Sequence, residues 1–523
     1  MTRLLTLLLL TTTINTFAHS MGKGITYYNP TNTNKEYISD TCSKINLQPT
    51  SYSIELNSIT SKGTYAPFWL TTNKYGLSSI ENKSGYFRVS LKKDITTDTI
   101  SKWKLGYMAD LALPVNYSSN FIIQQLYCDI EHKFGRLTIG AKELPLEMKN
   151  EELSCGDMTY SINSRPIPQI RLELKRFWPI PHTKNWISFK GHIAYGWFTD
   201  GHWQETFIDS NQKSHHSGSK FHSKSGYVKL GNEKRFPLTL TAGVHFCAQF
   251  GGEAWNVGRR ADDTSDFNNS HIFLSNNLKS YWHAFFPGGR DASDGAYSNA
   301  EGNQLGSYQA NITFHNKNWS IKTYAEHFFE DHSQMFFEYD WKDFLIGAEI
   351  NLPHNNFANT IVVEHINTKD QTGGIYHDHT TTLPIQISGA DNYYNHSIYS
   401  SWQHWGQAIG NPLLISPIYN NGTLSFYHNR IRATHIGICG NPMKAVHYRL
   451  LYTTIKSWGT YQTPLEETES ANFFLAECTL KPTKWRNWSL TVGYASNNGT
   501  LLGNSNGASF TIRKEGFFNS RNK

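Results

Sequence analysis

The segment Leu238–Phe250, LTLTAGVHFCAQF, decides how the chain folds. Leu238, Leu240, Ala242, Val244, Phe246, Ala248 and Phe250 fall on one side of an extended backbone, with Thr239, Thr241, Gly243, His245 and Gln249 mostly opposite. A period of two means a strand with one apolar and one polar face. The run is longer than the usual strand of about five or six residues. It suits a tilted crossing of a hydrocarbon layer, which takes about ten. The same alternation returns in Trp103–Leu111, where Trp103, Leu105, Tyr107, Ala109 and Leu111 share a face, and in Ile187, Phe189, Ile193, Tyr195 and Trp197. It recurs in Val446, Tyr448, Leu450 and Tyr452, and in Trp488, Leu490, Val492 and Tyr494.

The connections between these runs are of two kinds. Short polar turns such as HNKN (315–318) and EHKFG (131–135) join neighbours, while long polar stretches cover 199–225, 251–277, 367–396 and 456–470. Short turns on one side and long loops on the other are the plan of an outer-membrane barrel, in which closure removes the sheet edges that a bilayer forbids. A secreted β-sandwich or β-helix would show the same alternation. Against it stand the strand lengths and the aromatics at strand ends (Trp103, Trp186, Trp197, Trp319, Trp488), where an interfacial girdle belongs. The final alternation of Phe510, Ile512, Lys514, Gly516 and Phe518 points the same way. The expected fold is all-β, an antiparallel transmembrane barrel.

Composition agrees. Of 523 residues only 17% are charged and 14% are aromatic, and mean hydropathy is −0.50, so polarity comes from Asn, Ser, Thr, Gly and His. Globular enzymes carry about a quarter charged residues. A net charge of +6 without any Lys/Arg block gives no footing for nucleic acid. Arg3, the apolar run Leu4–Leu10 and the small residues Ala18 and Ser20 read as a signal peptide over residues 1–20. Residues 21–64, with no amphipathic helical pattern, read as an N-terminal periplasmic segment, 65–518 as the barrel and 519–523 as a tail. The six cysteines are scattered without a CxxC pair, which speaks against a metal site and leaves any disulfide unassigned.

Several segments in order resemble the Wzi capsule-assembly family, in the form found in Bacteroidetes-type genomes. They are YAPFWLTTNKYGL (65–77), SRPIPQIRLEL (164–174), the run from Asn276 to Phe314 that contains NQLGSY, EHFFEDHSQMFF (326–337), HWGQAIGNPLL (404–414) and GNSNGASFTIRKEGFF (503–518). The resemblance implies about 18 strands and an outer-membrane location. It also implies a non-enzymatic role in binding or organising capsular or other surface polysaccharide, with outer-membrane lipid and the polysaccharide export machinery as partners. Because Pro67 removes a ladder donor, YAPFWLTTNKYGL is expected at the barrel's entry, at the periplasmic rim or just inside the wall. Trp69 and Tyr75 would then sit near the interface.

No nucleophile elbow, HExxH or phosphate-binding loop is found, and no cofactor is expected. The pairs Glu151-Glu152 and Asp262-Asp263 are adjacent, so on a strand their carboxylates would point to opposite faces, which suits a hydrolase poorly. His215-His216 and the HDH of 377–379 lie in polar sequence and read as loop histidines rather than metal ligands. Glycan binding uses aromatic faces with a few placed polar groups. The stretch Gly251–Asn269 supplies Trp255, Arg259, Arg260, Asp262, Asp263 and Asp266. Arginine forks suit the carboxylates of an acidic polymer, although these charges could equally pair with one another. A general or substrate-selective porin is the alternative function, since polar lumen residues serve it equally well.

Overall fold

The computed structural model describes residues 49–95, 102–208, 214–257, 271–288, 300–330, 342–355, 357–376 and 387–518. Eighteen antiparallel strands form one closed barrel. They are β1 Ser51–Gly63, β2 Lys83–Lys93, β3 Trp103–Val115, β4 Ile122–His132, β5 Gly135–Ala141, β6 Gln169–Leu174, β7 Ile187–Trp197, β8 Lys220–Leu230 and β9 Leu238–Phe250. The second half comprises β10 Asn303–His315, β11 Ser320–Glu330, β12 Phe344–Asn351, β13 Thr360–Asn367, β14 Ile431–Met443, β15 Val446–Gly459, β16 Pro464–Leu480, β17 Trp488–Gly499 and β18 Ser505–Phe517. Each pairs with the strand before it, and β18 returns to β1 in register from Ser51↔Phe517 to Gly63↔Ser505.

Alternation sets the wall as expected. Ile54, Leu56, Phe87, Val89, Ile193, Leu240, Ile312, Val363 and Val492 stand outward and exposed, while Asp110, Asp129, Glu326, Glu364 and His435 of the opposite parity are buried inside. Such an apolar outer belt on a closed barrel belongs in the outer membrane. Trp103, Trp186, Trp488, Phe134 and Phe236 are exposed at the end that carries the short turns and the first and last strand termini, which makes that end the periplasmic one. Opposite it lie the long loops.

Three expectations are corrected. The wall begins at Ser51, inside the stretch read as periplasmic. The outward set Tyr52, Ile54 and Leu56 is short, and Ser58 and Thr60 then take the outward positions, so the apolar face fades midway. The loop expected at 456–470 is largely strand, because β15 and β16 run beyond the apolar belt with Glu466, Glu467 and Glu469 on a polar extension. YAPFWLTTNKYGL lies just inside the wall, one of the two places expected, but at the opposite end from the periplasmic rim, and Trp69 is buried in the lumen rather than near the interface. It follows β1 at the extracellular end and turns back into the lumen, where Phe68–Thr71 forms a short helix, α1, wholly buried. Trp69 is 2% exposed, and its indole N–H donates to Thr453 Oγ1 on β15 at 3.2 Å.

Candidate functional site

Three segments from the extracellular end fill the lumen: 64–82, 142–168 and 391–430. Their apolar residues Phe68, Trp69, Leu153, Met158, Trp402, Leu413 and Phe426 share one core with inward residues of β8 to β17, among them Phe221, Cys247, Tyr324, Val362 and Phe473. Phe68 stacks on Phe473 with centroids 4.4 Å apart. The segments also hold each other through backbone groups. Tyr75 N–H donates to Ile162 O and Gly76 N–H to Asn163 O, both at 2.7 Å. Ser161 N–H donates to Ile409 O at 2.8 Å, and Trp402 Nε1 to Thr159 O at 2.7 Å. Close approach explains Gly410 of the IGNPLL motif, where a Cβ would stand 2.1 Å from both Met158 O and Tyr394 Oη.

Carboxylates of the wall hold this plug. Glu364 on β13 accepts from Ser154 Oγ (2.6 Å), Cys155 N–H (2.7 Å) and Tyr324 Oη (2.6 Å). Glu326 on β11 accepts from Met158 N–H at 3.0 Å and from Lys149. Lys149 also pairs with Asp157 at 3.1 Å, and all three side chains are 2% exposed or less. Burial alone would strip the lysine of its proton, but Glu326 and Asp157 outweigh it and hold the ammonium charged. Burial pushes the Asp157 carboxyl up to about 7, against the pull of Lys149. Glu330 takes the Tyr394 N–H at 2.9 Å.

A second sector, over β2 to β7, carries paired charges. Arg88 forks Asp110 (Nε at 2.8 Å) and reaches Glu143 at 3.1 Å. Arg136 and Lys175 share Glu131, and Arg171 and Lys190 flank Glu147. A β-bulge where β3 meets β4 turns both Gln124 and Gln125 inward. Gln124 Nε2 then reaches Tyr75 O at 3.0 Å and Glu143 at 2.8 Å.

The extracellular face carries a three-stranded sheet of His215–Ser217, Gly252–Trp255 and His271–Leu274. Cross-strand register places His215 and His271 on either side of Trp255. The indole lies parallel to both rings, 4.8 Å from His215 and 4.7 Å from His271. Phe273 and Glu253 share that outer face, where Phe273 is exposed and His271 Nε2 meets Glu253 Oε2 at 3.0 Å. Ala254 and Leu274 face the other way, onto Ile398 and Tyr399. His216 stacks on Tyr399 at 5.0 Å, and burial lowers its imidazole to about 3, so it stays neutral. The sheet therefore offers an outward row of stacked rings whose polar edges, beside the exposed Phe273, can meet hydroxyl groups such as those of a sugar.

Of the residues singled out in the sequence, Trp255 is in this row. Arg259, Arg260, Asp262, Asp263 and Asp266 lie outside the described residues, as does the HDH of 377–379. His215, set aside as a loop histidine, proves to be a neighbour of Trp255, and no histidine, cysteine and carboxylate cluster suited to a metal occurs among the described residues. Sequence reading missed His271 and Phe273. Their alternation, HIFL, is too short to register as a strand alone.

No protein-family model matches the chain, and no curated protein does. Among solved structures the chain is similar to Wzi, an outer membrane protein involved in group 1 capsule assembly in Escherichia coli and described as a carbohydrate-binding β-barrel. Identity is 14% and the TM-score 0.54, covering 89% of this chain and 84% of that one. It also matches Pseudomonas aeruginosa OccK3 (OpdO), at 11% identity and TM-score 0.44, over 90% of this chain and 96% of that one. For Pseudomonas aeruginosa OprD the values are 9% and 0.41, over 91% and 97%. At these identities the likeness to Wzi bears on the fold, an 18-strand outer-membrane barrel.

Proposed function

We propose that this protein is a non-enzymatic, Wzi-type outer-membrane component that binds or organises capsular polysaccharide at the cell surface, working beside the export machinery. The observation that carries this reading is the filled lumen. Wall carboxylates that would line an ion path are instead spent on backbone N–H groups and Lys149 of the plug. A barrel so occupied presents its extracellular surface, and among the described residues the row His215–Trp255–His271 supports a sugar contact there through its exposed ring edges. The porin reading competes through the same fold.

Three measurements test the proposal against the porin reading. Planar-bilayer recording of the purified protein should give no steady open conductance, and capsular polysaccharide from the host strain should bind in a pull-down. A chromosomal deletion should shed capsule into the medium. Steady conductance with no glycan affinity would make the protein a porin, and normal cell-bound capsule in the deletion strain would overturn the proposal.

A further inference from the structure

The long connection after β9 contains a helix, α3 (Leu278–Phe285; α2 being Gly201–Phe207), that lies outside the barrel. Parity along β9 proves its side. Leu238, Leu240 and Ala242 point outward and are exposed, and Phe246, Ala248 and Phe250 continue that same face yet are 4% exposed or less. They are covered by Ala284 and Tyr281 of α3, in a cluster with Phe329 and Tyr308, whereas inward Cys247 belongs to the lumen core. Tyr281 meets Phe250 at 5.0 Å and Tyr195 at 5.3 Å, and Tyr195 Oη donates to Tyr281 O at 2.9 Å.

Covering the wall here solves a problem of charge. Lys224 on β8 has the parity of Val228 and Leu230, so it points outward. A lysine on the lipid face of a barrel is costly at the midplane and less so towards the interface. Its ammonium donates to Phe285 O at the end of α3 and lies over the rings of Phe246 (4.3 Å) and Phe285 (4.5 Å). Cations suit helix C-termini. The other helix end is fixed by Asn277, whose side chain caps Lys279 N–H and Ser280 N–H. His283 Nδ1 meets Glu301 at 2.6 Å just before β10. The helix is pinned to the wall.

Its other face is uncovered among the described residues. Leu278, Trp282 and Phe286, one turn apart, are 89%, 62% and 51% exposed. That face is continuous with the apolar belt, because the surface beneath α3 is the belt. Depth agrees. A strand rise of about 3.3 Å at a tilt of about 40° gives roughly 2.5 Å of height per residue. Phe250 then stands about 30 Å above Leu238, and Val244 about 15 Å, against an apolar band about 25 Å tall. The helix spans the upper boundary of the bilayer.

We propose that α3 is an interfacial anchor whose Leu278–Trp282–Phe286 face inserts among lipids of the outer leaflet, so that an extracellular loop binds lipid from outside the wall. The test is photocrosslinking with benzoylphenylalanine at position 282 or 286 in the full chain, in phosphatidylethanolamine vesicles containing lipopolysaccharide. Adducts are read by mass. Lipid adducts at both sites should match those at Ile193 on the lipid-facing wall. They should exceed by severalfold those at His202, whose side chain is 91% exposed on α2. Yields at 282 and 286 no higher than at His202 would overturn the proposal, as would adducts to protein alone when the experiment is repeated in cells. A second measurement is the pair Trp282→Asp and Phe286→Asp with the probe at 278. The barrel should still fold by heat-modifiable gel mobility while lipid adducts fall severalfold, and an unchanged yield would refute the anchor.

Discussion

Replacing Lys149 with methionine should loosen the plug while leaving the barrel intact. The ammonium is 2% exposed and neutralises two carboxylates, Asp157 at 3.1 Å and Glu326. At an effective dielectric of about 20, one pair at that distance is worth roughly 5 kcal/mol before desolvation is charged against it. Removing one member of a buried pair costs about 3–5 kcal/mol, because a charge is left buried without a counterion. Here two carboxylates would face each other, and taking up a proton on Asp157, already pushed up to about 7, relieves part of the cost. A net loss of about 4 kcal/mol corresponds to about a thousandfold rise in the open population. Brief conductance events in planar bilayers should become that much more frequent, while heat-modifiable mobility of the barrel changes little, since Lys149 contacts β11 through Glu326 without being part of the wall. The triple change Lys149→Met, Asp157→Asn, Glu326→Gln removes the uncompensated charge and should recover most of the closed state. If Lys149→Met conducts no more than the parent, the ion-pair lock is wrong.

Other outcomes follow from single sites. Asp157 has its pKa raised in the folded plug, so the folded state holds its proton more tightly. Its contribution is full below about pH 4 and lost as pH rises through about 7. Melting of the parent minus that of Asp157→Asn should therefore fall across this window, and a flat difference would refute the assignment. Trp69→Ala empties a buried site between α1 and β15 and should cost about 3–5 kcal/mol in urea unfolding; a loss under about 1 would mean the lumen repacks freely. Trp255→Ala should weaken polysaccharide binding about tenfold with little change in melting, because its ring holds His215 and His271 in an outward row on a sheet whose buried side is Ala254. Unchanged affinity would remove the ring row from the site.

The wall was legible because one rule generates it. A strand between lipid and lumen must alternate, and β3, β7 and β9 do so over their whole length. β1 was lost where Ser58 and Thr60 interrupt the apolar face. The plug was illegible for a different reason. Residues 64–82, 142–168 and 391–430 carry no period, since their partners lie far away in sequence, as with Asn163 Nδ2 on Ala408 O. The aromatic crowding of YAPFWL signalled burial, but burial in the lumen and anchoring at an interface ask for the same residue types. Likewise α3 was invisible: the alternation of β9 reads as lipid-facing to its end, and nothing in Phe246, Ala248 and Phe250 says that a helix covers them.

The polar face of the wall raises the same ambiguity in its sharpest form. Thr, Gln, His and Glu at inward positions are what a water-filled pore requires, and sequence pattern alone cannot tell such a pore from a filled one. The distinction rests on where the hydrogen bonds end. Glu364 and Glu326 each accept a backbone N–H from the segment 142–168, from Cys155 and Met158, two residue pairs more than 160 positions apart. A buried carboxylate without such donors would carry a heavy desolvation cost, and a loop N–H without an acceptor would carry its own. Each requirement satisfies the other, so the inward charges of β11 and β13 serve as the template on which an otherwise patternless loop finds one conformation.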